Sequence, residues 1–146
     1  MKEMKFTVEI NASREKVWDT LWQDKTFRQW ASVIDPGTYM VGELKEGSKV
    51  QFISLSSGYG VTSLVEKLTP GEFLLLRHHA DTQEEGKRER ENEWTGGKES
   101  YSLIEKDNLT TLTVVFDVPS ELEEEFNSSY PKALKQVKVL AEGNRY

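Results

Sequence analysis

SELEEEFNSSYPKALKQVKVLAEGN, residues 120–144, decides the fold. Its apolar residues fall at Leu122, Phe126, Tyr130, Leu134, Val137 and Leu140, and steps of four, four, four, three and three keep them on one face of a helix. Ser120 followed by Glu123 reads as a capping box, and Gly143 as a left-handed C-terminal cap. Glu121 and Glu123–Glu125 crowd the first turns while Lys132, Lys135 and Lys138 lie further on, an order that complements the helix macrodipole. Pro131 has no N–H to donate and its ring crowds the carbonyl of Asn127, so a kink or break is expected near Ser128–Tyr130. A rod of about 22 residues spans about 33 Å. One amphipathic helix of that length needs a broad apolar partner, which the rest of the chain must supply.

Composition narrows the function classes. The chain has 146 residues, 36% of them hydrophobic and 10% aromatic, enough for one folded domain over 1–146. Lys and Arg number 19 against 25 Asp and Glu, a net charge of -6 with no basic block. Nucleic acid and anionic membrane are therefore not expected partners. The absence of Cys excludes disulfides, thiolate nucleophiles and thiolate metal sites. MKEMKFTVEI alternates polar and apolar residues and offers no signal-peptide core, and no apolar run approaches the ~20 residues of a membrane span. The three Asn-X-Ser/Thr matches, at Asn11, Asn108 and Asn127, are then chance, and a cytoplasmic domain is expected.

Ahead of the helix the pattern is mostly strand. Lys5–Ile10 alternates as a strand. Ser13 then caps a short helix with the stripe Val17, Trp18, Leu21 and Trp22. Lys25–Trp30 adds another helical turn or two, and Asp35-Pro36-Gly37 ends the helical section. Strands follow at Thr38–Leu44, around Val50 and Phe52, at Gly60–Leu68 after a Ser56-Ser57-Gly58 turn, and at Phe73–Ala80 after Thr69-Pro70-Gly71-Glu72. Arg77 is costly to bury, so the Leu74, Leu76 and His78 face points inward. Asp81–Gly97 is charged and Gly-punctuated and reads as a mobile hairpin extension or loop with Trp94 as its apolar anchor. Lys98–Lys106 and Leu109–Val118 flank an Asp107-Asn108 hairpin, with Tyr101, Leu103, Leu112, Val114 and Phe116 inward. The fold class is α+β. A curved antiparallel sheet of about six or seven strands wraps the long C-terminal helix, and two short helices close one end.

INASREKVWDTLWQDKTFRQW, EWTGGKESYSL, TTLTVVFDV and YPKALKQVKVLAEG carry a resemblance that spans essentially the whole chain. The chain resembles the START-like (SRPBCC, birch-pollen-allergen-type) helix-grip superfamily, and within it the homologues of the activator of the heat-shock-protein-90 ATPase. The resemblance implies a hydrophobic ligand cavity in many relatives, a co-chaperone role in a few, and catalysis in some cyclases and aromatases. Its motifs are packing patterns, which specify fold better than function.

A broad sheet gripping one helix leaves room for a cavity. Its walls are expected to be Val50, Phe52, Leu74, Leu76, Tyr101, Leu103, Leu112, Val114, Phe116, Phe126, Tyr130 and Leu134, with Trp30 at the mouth. Tyr101, Tyr130 and His78 supply polar groups, and Glu99, on the Tyr101 face, can fix a polar ligand head. The competing reading is a solid core in which each of these residues only packs. His78 and His79 point to opposite faces and cannot share a metal, so no metal or other cofactor is expected. No nucleophile or orienting acid can be placed beside His78, so no catalytic residue is assigned. Trp94 is a lid anchor or a partner contact. GKRERENE is a solvated hairpin whose mixed signs do not suit phosphate. Gly58-Tyr59-Gly60 and Gly96-Gly97 fit turns and a bulge, lacking the strand-to-helix context of a nucleotide loop. The leading expectation is a non-catalytic, monomeric domain holding a small hydrophobic or lipid-like molecule. The runner-up is a module contacting a chaperone or another protein, and an enzyme of cyclase or aromatase type comes third.

Overall fold

The structure, a computed structural model, describes residues 2–55, 60–83, 88–90 and 96–143. Strand β1 (Lys2–Ile10) leads into helices α1 (Arg14–Trp22) and α2 (Asp24–Ala31). Strands β2 (Thr38–Val41), β3 (Lys49–Ser54), β4 (Gly60–Thr69), β5 (Phe73–Gln83), β6 (Arg88–Arg90), β7 (Lys98–Lys106) and β8 (Leu109–Val118) follow, and helix α3 (Glu123–Glu142) closes the chain. Among the described residues the strands form one curled antiparallel sheet in the order β1-β8-β7-β5-β4-β3-β2, with β6 added on β5. This is the helix-grip arrangement expected from the alternation of strands before one long helix.

Local chemistry explains most of the boundaries. The Ser13 side chain accepts from the Lys16 N–H at 3.2 Å and starts α1. Asp107 and Asn108 adopt φ of 53° and 64°, the left-handed pair a two-residue β7–β8 hairpin requires. Along β8 the even-numbered residues Leu112, Val114, Phe116 and Val118 are buried, Phe116 against Tyr130 of α3, and Met4 and Phe6 on β1 pair across from Phe116 and Val114. The face of α3 that packs inward is Tyr130, Ala133, Leu134, Val137 and Ala141. Lys138 fastens the helix to β1 by donating to the Glu9 carbonyl at 2.9 Å.

Several expectations fail at element ends. Ser120 and Glu123 form no capping box. A 3₁₀ turn over Ser120–Leu122, closed by Leu122 N–H to the Pro119 carbonyl at 2.9 Å, precedes α3, which has no side-chain cap. Gly143 is not left-handed, with φ -39° and ψ -176°. Of the kink or break expected at Pro131, the break does not occur: the helix runs through it, with Pro131 and Asn127 both exposed. Strand β2 stops at Val41, because Gly42 turns away at φ 104°. The charged segment after Ala80 continues β5 to Gln83 and pairs it with β6, as a hairpin extension. The Ser56-Ser57-Gly58 turn, Tyr59 and Trp94 lie outside the described residues.

Candidate functional site

The sheet is wider than one helix can cover, and the two ends of the helix–sheet interface differ. At one end α1 packs against α3, β7 and β8, with Val17 and Leu21 fully buried. Toward the start of α3 the described residues leave space. A pocket of about 510 Å³ lies there between α2, the first half of α3 and the ends of β3, β4, β7 and β8. That volume is in the range of small-molecule sites.

Of the residues expected to form a cavity, Trp30, Phe52, Glu99, Tyr101, Phe116, Phe126 and Tyr130 do line this pocket. Val50, Leu74, Leu76, His78, Leu103, Leu112, Val114 and Leu134 do not. They are buried away from it. α1 is expected from sequence to close one end, whereas it packs against α3, β7 and β8 with Val17 and Leu21 in the core. The remaining walls were not anticipated: Phe27, Ala31, Ile34, Asp35, Pro36, Thr38, Ser54, Gly60, Val61, Leu122 and Glu125. Part of this was readable. Phe27, Trp30 and Ala31 form an i, i+3, i+4 stripe on α2. Val61 opposes Phe52 only once the β3–β4 register is known.

The walls are held firmly. The Trp30 indole donates to the Leu21 carbonyl at 3.0 Å, which pins α2 to α1. Trp30 packs edge-on against Phe27 at 5.3 Å between ring centroids, and Phe27 in turn contacts Phe52 at 5.8 Å. Opposite, Tyr130 stacks on Phe116 at 4.4 Å and on Phe6 at 5.7 Å. Ser54 donates to the Pro36 carbonyl at 3.0 Å, tying the rim loop to β3. Gly60 can carry no side chain, because a Cβ there would lie 1.7 Å from the Phe52 carbonyl oxygen.

A polar chain leads from the pocket into the core. Tyr130 and Tyr101 both line the pocket, and Tyr101 donates to Glu99 Oε2. Glu99 Oε1 lies 3.7 Å from His78 Nε2, and His78 Nδ1 lies 2.9 Å from Ser63 Oγ. The Nε2–H tautomer satisfies this order, with Ser63 donating to Nδ1 and the ring N–H facing Glu99. Burial, then the charge of Glu99, pushes the Tyr101 hydroxyl well above the ordinary value of 10, and the same two causes act on Tyr130. Both phenols are therefore protonated donors at neutral pH.

Burial lowers the His78 pKa from its ordinary 6.5, against the opposing pull of Glu99 and Asp117. The folded state thus refuses a proton that the unfolded state accepts, so stability is full above pH 6.5 and falls as the pH drops below it. The slope can reach about 1.4 kcal/mol per pH unit. His78→Gln is expected to flatten the difference in urea unfolding free energy between about pH 7 and about pH 5. An unchanged pH dependence in the variant would refute the burial argument.

Ser63, His78 and Glu99 have the residue types of a hydrolytic triad but not its access. Ser63 is 0% exposed and His78 2%, and neither lines the pocket, so the hydroxyl cannot meet a substrate bound there. Among the described residues no group of three or more His, Asp or Glu side chains could hold a metal ion, and no helix is long and apolar enough to cross a membrane.

Comparison with solved structures gives the same architecture. The chain is similar to the Aha1 dimer from Colwellia psychrerythraea, with a TM-score of 0.74, 21% identity and 100% of both chains covered. It is also similar to protein CV1439 from Chromobacterium violaceum, with a TM-score of 0.71, 17% identity, and 99% of this chain and 100% of that one covered. For CalU16 from Micromonospora echinospora the TM-score is 0.66, the identity 15%, and the coverage 99% of this chain and 76% of that one. At these identities the likeness is one of fold. No curated protein matches the chain. Residues 11–142 match the family described as Activator of Hsp90 ATPase homolog 1-like protein, and the chain belongs to that family within the START-like superfamily.

Proposed function

We propose that the protein is a non-catalytic binding domain that takes a small, largely apolar molecule into the pocket between α2, α3 and the sheet. The observation that carries this reading is the pocket of about 510 Å³, walled by aromatic rings and left unfilled where the other half of the interface is packed. The polar groups facing it, Tyr101, Tyr130 and Glu99, suit orientation of one ligand head. Their neighbours Ser63 and His78 are sealed away, which favours binding over turnover.

Ligand bound only by the folded state raises the unfolding temperature by mass action. A thermal-shift screen of uncharged polycyclic aromatics and medium-chain alcohols is expected to give concentration-dependent stabilisation. At a hundred times the dissociation constant it amounts to about 2.7 kcal/mol. Ile34→Trp, which fills the mouth, is expected to abolish the shift. Stabilisation that survives Ile34→Trp would place binding elsewhere.

The family match supports a second reading, contact with a chaperone or other protein through the outer surface. In that case ligands leave stability unchanged while a partner shifts exterior residues only. We take the chain to act as a cytoplasmic monomer. Dimerisation is the alternative, since the Colwellia relative is described as a dimer, and sedimentation velocity separates the two.

A further inference from the structure

Among its described lining residues the pocket is apolar but not neutral, and their charge has one sign. Aromatic rings come from every side: Phe27 and Trp30 on α2, Phe52 on β3, Tyr101 on β7, Phe126 and Tyr130 on α3. Among the described lining residues the ionisable groups apart from the two phenols are carboxylates, Glu99 on the wall and Asp35 and Glu125 with it, and no Lys, Arg or His contributes.

Glu99 is the unusual member. Its side chain is only 17% exposed, and holding a carboxylate in such surroundings is costly unless it is compensated. The compensation among the described residues is one hydrogen bond from Tyr101 and the ring of His78 at 3.7 Å. Burial keeps that ring neutral at pH 7, so it offers a dipole rather than a positive charge. A carboxylate can accept about four hydrogen bonds, so acceptor capacity is left toward the pocket.

We propose that the ligand is a small aromatic or alicyclic amine whose ammonium group seats on Glu99 while its apolar body lies among the aromatic rings. The ammonium supplies the missing positive charge, donates to the vacant carboxylate lone pairs, and meets the negative faces of Tyr101, Tyr130 and Trp30. Asp35 and Glu125 add attraction for a cation approaching from solvent. Anionic apolar molecules such as fatty acids are excluded by the same groups. The inference rests on the pocket being a ligand site and names the class of ligand.

The test is calorimetric titration of the wild-type chain, at about pH 7, with three molecules of nearly one shape: naphthylmethylamine, naphthylmethanol and naphthoate. The amine is expected to bind at least about tenfold more tightly than the alcohol, the range of a charge-assisted hydrogen bond, and naphthoate not to bind. Glu99→Gln is expected to bring the amine down to the affinity of the alcohol. Equal affinity of amine and alcohol in the wild type would overturn the amine inference and leave the pocket reading standing. Failure of all three to bind would overturn both. A wild-type preference that survives Glu99→Gln would remove Glu99 as the reader of the charge. The comparison of amine with alcohol needs no variant, so it stands even if Glu99→Gln folds poorly.

Discussion

Val137→Asp is expected to leave the chain unfolded or to cost at least about 4 kcal/mol, because it buries a carboxylate with no cation to meet it. Val137 is 0% exposed on the inner face of α3, in the half of the interface that α1 has filled. Val139, two residues on, is 46% exposed, and Val139→Asp is expected to stay within about 0.5 kcal/mol of the parent. The two substitutions make the same chemical change on the same helix, so the contrast isolates the direction the side chain faces. Equilibrium unfolding in urea, followed by far-ultraviolet circular dichroism, measures both. Similar losses at the two positions would mean that α3 does not dock by this face.

Phe116→Ala is expected to cost about 3–5 kcal/mol. The ring lies where core and pocket meet, stacked on Tyr130 at 4.4 Å and in contact with Phe6 at 6.0 Å and Phe126 at 5.7 Å. Removing it takes away the surface that holds the first half of α3 against β8 and enlarges the pocket at the same time. A loss below about 1 kcal/mol would show that the helix closes there without this contact. If the variant stays folded, a ligand that fits the wild-type pocket should bind less tightly, since Phe116 is part of its wall.

How far the sequence was legible follows from the range of the interactions involved. The long helix, the inward faces of β7 and β8 and the Asp107-Asn108 turn rest on contacts between near neighbours, and periodicity reports these directly. Glu99 and Tyr101 were placed on one face by the two-residue repeat alone, and their side chains do meet. The pairing of Ser63 with His78 was out of reach. It depends on a register shift in the β4–β5 ladder between Thr62 and Ser63, and no local pattern marks it. The α3 start failed for a related reason, since a capping-box sequence was overridden by the tight turn leaving Pro119. The extent of the pocket was misjudged because α1 was treated as an end closure. Where Val17 and Leu21 would go is a question of tertiary packing between segments distant in sequence.

The proposed ligand site is the unfilled half of the helix–sheet interface. The most direct measurement is a protein-observed NMR titration of the isotopically labelled chain with uncharged naphthylmethanol. Shifts are predicted at the Trp30 indole N–H and at the backbone amides of Gly60, Tyr101, Glu125 and Phe126, with Val65, Ile104 and Leu109 unmoved. Shifts confined to exposed residues such as Ile104 and Leu109, or none at saturating probe, would contradict it.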